Sequence, residues 1–235
     1  LYMCLCNNAA NRIICGDYIV AGERLDHCTA LEKEMENPPS PYKVANNSII
    51  NTFLGNEGHD YTAMDRGKLI QAAADASREF DKLIEDLQSN SNEVSHVMEF
   101  NQISMLMLSG EKERAEILLD ELQYVFDQLD DFYLFYYHNA RTAMYILNGQ
   151  FPKAGEQLTL LKNQKVALLD EHSDAILNER VRMFRTMIKD EFAGDAFDLN
   201  YAFLKNGVKP AYSQDKSLRY WWRAFLLSDM QFLSM

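Results

Sequence analysis

The sequence predicts an all-α fold in which antiparallel helix hairpins repeat along a single domain, residues 1–235. Apolar residues recur at helical spacing through most of the chain. Glycine (10) and proline (5) are scarce, which argues against a β-sandwich or barrel with many tight turns. A short pattern of glycine, alanine and leucine also recurs, and internal repetition of this kind is typical of helical-repeat proteins.

The repeated pattern has a turn glycine, an alanine five residues later, and apolar residues four and seven residues after the alanine. Three copies share it: Gly16, Ala21, Leu25 and Cys28; Gly110, Ala115, Leu119 and Leu122; Gly149, Ala154, Leu158 and Leu161. Glycine permits the positive φ of a chain reversal, and alanine lets two helix backbones approach closely. We therefore expect each copy to form the turn and the second helix of a hairpin.

The spacing of the glycines indicates the length of each unit. Gly16 to Gly55 and Gly110 to Gly149 both span 39 residues, whereas Gly55 to Gly110 spans 55. The second unit therefore holds 16 extra residues, the difference between 55 and 39. We expect them to lengthen its second helix.

The first two hairpins are separated by a proline-rich break. The first is expected at residues 1–36, with its turn at Gly16. The proline cluster at 37–41 ends it, and the second hairpin is expected at 42–88.

The third and fourth hairpins are expected at 93–129 and 132–166. The fourth has the best copy of the pattern, and its Pro152 lies in a first helical turn, where a missing N–H costs nothing. We therefore take 132–161 as the stretch around which the chain is organised. Its aromatic run, Tyr133–Tyr137, is expected to be buried by the neighbouring hairpins; an exposed aromatic ledge is the alternative.

The fifth hairpin, expected at 174–206, is degraded. Asp190 takes the place of the turn glycine, and Asp195 stands where the alanine should be. A terminal helix is expected at 216–235, with an apolar face too wide to be left in water. This helix either caps the array or docks further sequence.

The charge argues against two classes of partner. Acidic residues outnumber basic ones by 35 to 23, and the net charge is −12. Nucleic acids and anionic membranes require clustered lysine and arginine, so we expect neither as a direct partner. The acidic surplus indicates a solvated surface; the alternative is complementarity to a basic segment of a partner.

The cysteines and the hydropathy indicate a reducing, cytoplasmic location. All four cysteines lie in the first 28 residues, with no second Cys/His cluster to complete a zinc site. We expect free thiols, no metal and no cofactor. No signal peptide or apolar run of about 18 residues is present, so no membrane segment is expected. The chain begins at Leu1 inside a helical segment, and we expect it to be part of a longer or processed protein.

The fourth copy resembles a tetratricopeptide repeat. The resemblance is carried by Gly149, Phe151, Ala154 and Leu158, which match the family's glycine turn, aromatic residue, alanine and large apolar residue. It extends over residues 1–204, with units of about 39 residues where the family has about 34. The resemblance implies a right-handed superhelix of stacked hairpins whose first helices line a concave, partner-binding groove.

The first helices carry recurring asparagines: Asn8, Asn47, Asn101, Asn139 and Asn178. An asparagine amide can both donate to and accept from a bound peptide backbone. The candidate binding residues on the implied concave face are Asn101, Tyr136, Asn139, Arg141 and Asn178. The distance from asparagine to turn is 8, 8, 9 and 10 residues in the first four units, and a difference of two residues rotates a side chain by about 200°. Solvent-facing or inter-helix asparagines are therefore the alternative.

No catalytic constellation appears in the sequence. The five histidines form no i, i+4 pair, and there is no zinc-protease, nucleophile-elbow or phosphate-loop motif. We expect a non-catalytic module that binds a partner protein or peptide. The alternative is an effector-sensing domain for a peptide or small molecule. It is implied by a resemblance, because longer, divergent units of this kind are similar to arrays in bacterial transcriptional regulators and signalling ATPases. The sequence leaves the oligomeric state open.

Overall fold

The computed structural model describes residues 1–14, 17–39, 41–55, 66–90, 94–124, 131–163, 170–196 and 198–199. Within these ranges the regular structure is helical and contains no strand, so the all-α prediction is confirmed. The helices are α1 (Tyr2–Ile14), α2 (Tyr18–Glu32), α3 (Pro41–Gly55), α4 (Arg66–Ser89), α5 (His96–Ser109), α6 (Lys112–Tyr124), α7 (Asp131–Leu147), α8 (Phe151–Lys162) and α9 (Asp170–Lys189). The expected terminal helix at 216–235 lies outside the described residues.

Helices that follow one another along the chain also lie against one another. Contacts join α1 to α2, α3 to α4, α5 to α6 and α7 to α8, and they also join α2 to α3, α4 to α5, α6 to α7 and α8 to α9. First helices also contact one another, most extensively in the pairs α1–α3, α5–α7 and α7–α9. The second helix of the second hairpin, α4, has 24 residues and is the longest of the described helices, as the glycine spacing predicts.

The turns after α5 and α7 have the same backbone geometry. Gly110 and Gly149 adopt φ angles of 90° and 67°, in the left-handed region. The amide of the next residue donates to the carbonyl five residues back, at 2.8 Å for Glu111 to Leu106 and 2.8 Å for Gln150 to Tyr145. These bonds satisfy helix-end carbonyls and define the Schellman motif, which requires the conformation that glycine adopts most easily.

The fifth turn has the same motif but not at the expected residue. Glu191 has φ 49°, and the amide of Phe192 donates to the carbonyl of Met187 at 2.9 Å. Glu191 therefore takes the place of the turn glycine. The prediction that Asp190 does so is wrong by one residue.

The second helix of the fifth unit begins later than predicted, because Asp195 is its N-cap. The amide of Asp198 donates to Asp195 Oδ1 at 3.0 Å, and the amide of Asp195 donates to Asp198 Oδ2 at 3.2 Å, which is a capping-box arrangement. The amide of Leu199 donates to the carbonyl of Asp195 at 3.0 Å, as Ala154 does to its N-cap residue. Leu199, not Asp195, thus occupies the alanine position.

Two apolar clusters fill the interior, and α5 belongs to both. Met105 and Leu108 pack in the cluster built from α1 to α5. Phe100, Ile103 and Leu106 pack in the cluster that continues through α6 to α9. The stretch 132–161, around which we expected the chain to be organised, contributes buried residues to the second cluster and none to the first. The helix that connects the two clusters is therefore α5.

Candidate functional site

The structure places the predicted binding residues mainly in the interior. Asn101, Tyr136, Asn139 and Arg141 are buried, whereas Asn178 is exposed on α9. A covered side chain cannot touch a partner in this conformation. The five residues therefore do not form one open face.

Asn101 joins two first helices instead. Its Nδ2 donates to Oδ1 of Asn46 on α3 at 2.8 Å, and Asn46 Nδ2 in turn donates to Oδ1 of Asn47 at 3.1 Å. All three amides are buried. Oδ1 of Asn101 accepts no hydrogen bond from the described residues. The amides form a polar chain inside the fold, at a position where the sequence had suggested a groove.

Arg141 ties α7 to α6. Its Nε donates to the hydroxyl of Tyr137 at 3.1 Å, and its guanidinium lies 5.5 Å from the centre of that ring. Its Nη2 pairs with the carboxylate of Asp120 on α6. Arg141 is buried, whereas Asp120 is exposed. The guanidinium is therefore engaged by contacts inside the fold.

His138 ties α7 to α8. Its Nδ1 lies 2.6 Å from Nε2 of Gln157, which donates to the neutral ring. Burial lowers the pKa of His138 from 6.5 to about 4, because the charged form loses its hydration. The imidazole is therefore uncharged at neutral pH.

An open cleft of about 280 Å³ lies between α4, α5 and α6. The residues that line it are Asp81, Ile84, Glu85, Gln102, Arg114, Ile117 and Leu118. All but one come from the second helices α4 and α6, and only Gln102 comes from a first helix. The cleft is thus formed mainly by second helices, whereas the resemblance implies a binding groove lined by first helices.

Polar contacts fix one side of the cleft. Arg114 Nη2 lies 2.9 and 3.0 Å from the two oxygens of Asp81, and its Nη1 lies 2.8 Å from Glu111. Gln102 Nε2 donates to Asp81 Oδ1 at 2.5 Å. Hydrogen bonds with Glu111 and Asp81 raise the pKa of Arg114 above its ordinary value, so this cation is permanently charged and held in place.

The other side of the cleft is apolar and partly open to solvent. Ile84 and Leu118 are half-buried, and the side chain of Ile117 is 57% exposed. The sequence held a signal for Ile117. Ile117 lies two residues from Leu119, which places it about 200° around α6 from the buried stripe. This is the solvent face of the helix, where a polar residue is normal, so an isoleucine there is unusual.

The lining of the cleft combines two carboxylates, one guanidinium and one amide with three apolar side chains. The cleft has no histidine, cysteine, serine or lysine among its lining residues. Among the residues that the structure describes, no group of three His, Cys, Asp or Glu side chains could hold a metal ion. None of the helices in that part of the chain combines the length and the apolar character needed to cross a membrane.

No protein-family model, curated protein or solved structure matches this chain.

Proposed function

We propose that this chain is a non-catalytic interaction module that binds a segment of a partner protein in the cleft between α4 and α6. The hairpins would stack in a right-handed superhelix, as the resemblance to tetratricopeptide repeats implies. The observation that carries the proposal is the exposed side chain of Ile117 beside an apolar depression.

The lining of the cleft supports a protein partner. An exposed isoleucine next to half-buried Ile84 and Leu118 offers apolar area that a partner side chain can cover. The Asp81–Arg114 pair at the edge is already oriented by its own hydrogen bonds. Fixed polar groups around an apolar centre are typical of protein interfaces, where the centre contributes most of the affinity.

The openness of the cleft, rather than its volume, favours a macromolecular segment over a small effector. Pockets for drug-sized ligands usually enclose about 300–1,000 Å³ and bury most of the ligand. This cleft has about 280 Å³ and is open to solvent. A side chain that protrudes from a larger partner fits such a depression better than a free small molecule does.

Affinity capture from a lysate of the source organism tests the proposal. The wild-type chain and an Ile117→Asp variant would be immobilised, with Ile19→Asp as the matched control. Ile19 is also an exposed isoleucine on a second helix, α2, and is not part of the cleft. We expect a protein that binds to the wild type and the control but not to Ile117→Asp.

A different pattern would contradict the proposal. Equal capture by all three chains would mean that the cleft is not the binding site. A small molecule that raises the melting temperature of the wild type by several degrees, with no protein captured, would support the effector-sensing alternative instead.

A further inference from the structure

We infer that the partner segment is a basic amphipathic helix that lies along α6 and covers Ile117 and Tyr124. This inference rests on the proposed function, because it names the chemistry of the segment that the cleft would receive. Three observations carry it: the spacing of exposed apolar side chains on α6, the carboxylates around them, and the way the cation that lines the cleft is already used.

The exposed face of α6 carries two large apolar side chains. Ile117 is 57% exposed and Tyr124 is 90% exposed. They are seven residues apart, which is two helical turns, so they lie on the same face of α6. The residues that hold α6 in the fold, Ala115, Leu119 and Leu122, are buried. The outer pair is therefore not required for the packing of this helix.

The spacing of the pair fits a helical partner. Seven residues of α-helix rise by about 10.5 Å, so Ile117 and Tyr124 present two anchor points at that separation. Apolar residues at i and i+7 of a second helix repeat the same distance on one face. A partner helix laid along α6 can thus meet both side chains at once, and a third apolar residue can enter the cleft beside Ile117.

Carboxylates surround this apolar pair. Glu113 and Glu121 lie one turn before and after Ile117 on α6, and Glu85 lines the cleft from α4. Glu85, Glu113 and Glu121 are exposed. None of the three makes an ion pair with another of the described residues.

The cation that lines the cleft is already paired within the chain. Arg114 binds Asp81 and Glu111, and Lys82 binds Glu79. The uncompensated charge around Ile117 is therefore negative, as is the net charge of −12 on the whole chain. A partner with lysine or arginine beside its apolar anchors would compensate these carboxylates. A second copy of this chain would instead bring like charges together.

Model peptides provide the test. The probe is an 18-residue peptide of leucine and lysine, with leucines at i, i+3, i+4 and i+7 so that it forms a basic amphipathic helix. One control peptide has glutamate in place of lysine, and another has the same composition in scrambled order. Binding to the full chain would be measured by fluorescence anisotropy at low and high salt.

The inference predicts a specific pattern. The basic amphipathic peptide binds, the acidic and scrambled peptides do not, and added salt weakens the binding. Ile117→Ser weakens it by about tenfold, the effect of losing one buried anchor, whereas Ile19→Ser leaves it unchanged. Glu121→Gln reduces both the affinity and its salt dependence, whereas Glu23→Gln, at an exposed position on α2, does neither.

Other results would overturn the inference. Equal binding of the scrambled peptide would mean non-specific attraction to an acidic protein. An acidic peptide that binds better, or a dimer of this chain that Ile117→Ser dissociates in sedimentation experiments, would identify a different occupant. If Ile117→Asp abolishes capture of a natural partner but the basic peptide fails to bind, this inference is wrong while the proposed function stands. If both experiments fail, the proposed function is wrong as well.

Discussion

The same substitution, glycine to alanine, should have opposite effects at two positions of the fourth hairpin. Gly149 forms the turn between α7 and α8 with φ 67°, and Gly155 lies within α8. A Cβ added at either position meets no atom within 4 Å. Any difference between the two variants therefore reports on backbone conformation and not on a steric clash.

The magnitudes follow from the two backbone conformations. Holding an alanine in the left-handed region destabilises the folded state by about 1–2 kcal/mol. The lower conformational entropy of the unfolded variant offsets about 0.4–1 kcal/mol of this. Gly149→Ala should therefore lower the free energy of unfolding by about 1 kcal/mol. Within a helix, alanine is favoured over glycine by about 0.8–1 kcal/mol, so Gly155→Ala should raise it by about that amount.

Urea denaturation followed by circular dichroism at 222 nm measures the difference, which should be about 2 kcal/mol between the two variants. Gly110→Ala is a second test of the turn, because Gly110 has φ 90° and equally open surroundings. If Gly149→Ala and Gly110→Ala are as stable as the wild type, the turns do not require the left-handed conformation. The physical basis assigned to the repeat pattern would then be refuted.

Three further predictions concern single side chains. Glu191→Gly should raise the free energy of unfolding by up to about 1 kcal/mol in the same urea assay, because it relieves a non-glycine residue at φ 49°. The pKa of His138 falls from 6.5 to about 4 on folding, so between these pH values the unfolded state binds more protons than the folded state. The free energy of unfolding should therefore drop by up to about 3 kcal/mol as the pH falls from 6.5 to 4. His138→Gln should remove that part of the pH dependence, whereas His27→Gln, at an exposed position, should not. Asn101→Asp should cost about 3 kcal/mol or more at neutral pH because it buries a carboxylate, whereas Asn8→Asp, at an exposed position, should change thermal stability little.

The helices and the glycine turns could be predicted because their signals are local. A positive φ at Gly149 and a close helix approach at Ala154 each depend on a single residue type, and the sequence displays both. The fifth turn could not be aligned from such signals. Glu191 adopts the left-handed conformation without being glycine, and the later N-cap at Asp195 shifts the helix that follows. The fold imposes the left-handed conformation on Glu191, which does not favour it, whereas aspartate is a residue type that N-cap positions favour.

The candidate site could not be predicted in the same way, because burial depends on which helices meet. Asn8 and Asn101 belong to the same series in the sequence, yet Asn8 is exposed and Asn101 is enclosed between α3 and α5. Periodicity also identifies the buried stripe of α6 but not what lies beside its other face. The cleft at Ile117 exists because α4 and α6 come together around Gln102, which is a property of the tertiary arrangement.

The double role of α5 restricts how such a chain can change by duplication or exchange of whole units. A replacement for α5 has to match two sets of packing partners together: Met105 and Leu108 on one side, Phe100 and Ile103 on the other. We therefore expect chimaeras joined within residues 96–109 to lose cooperative folding.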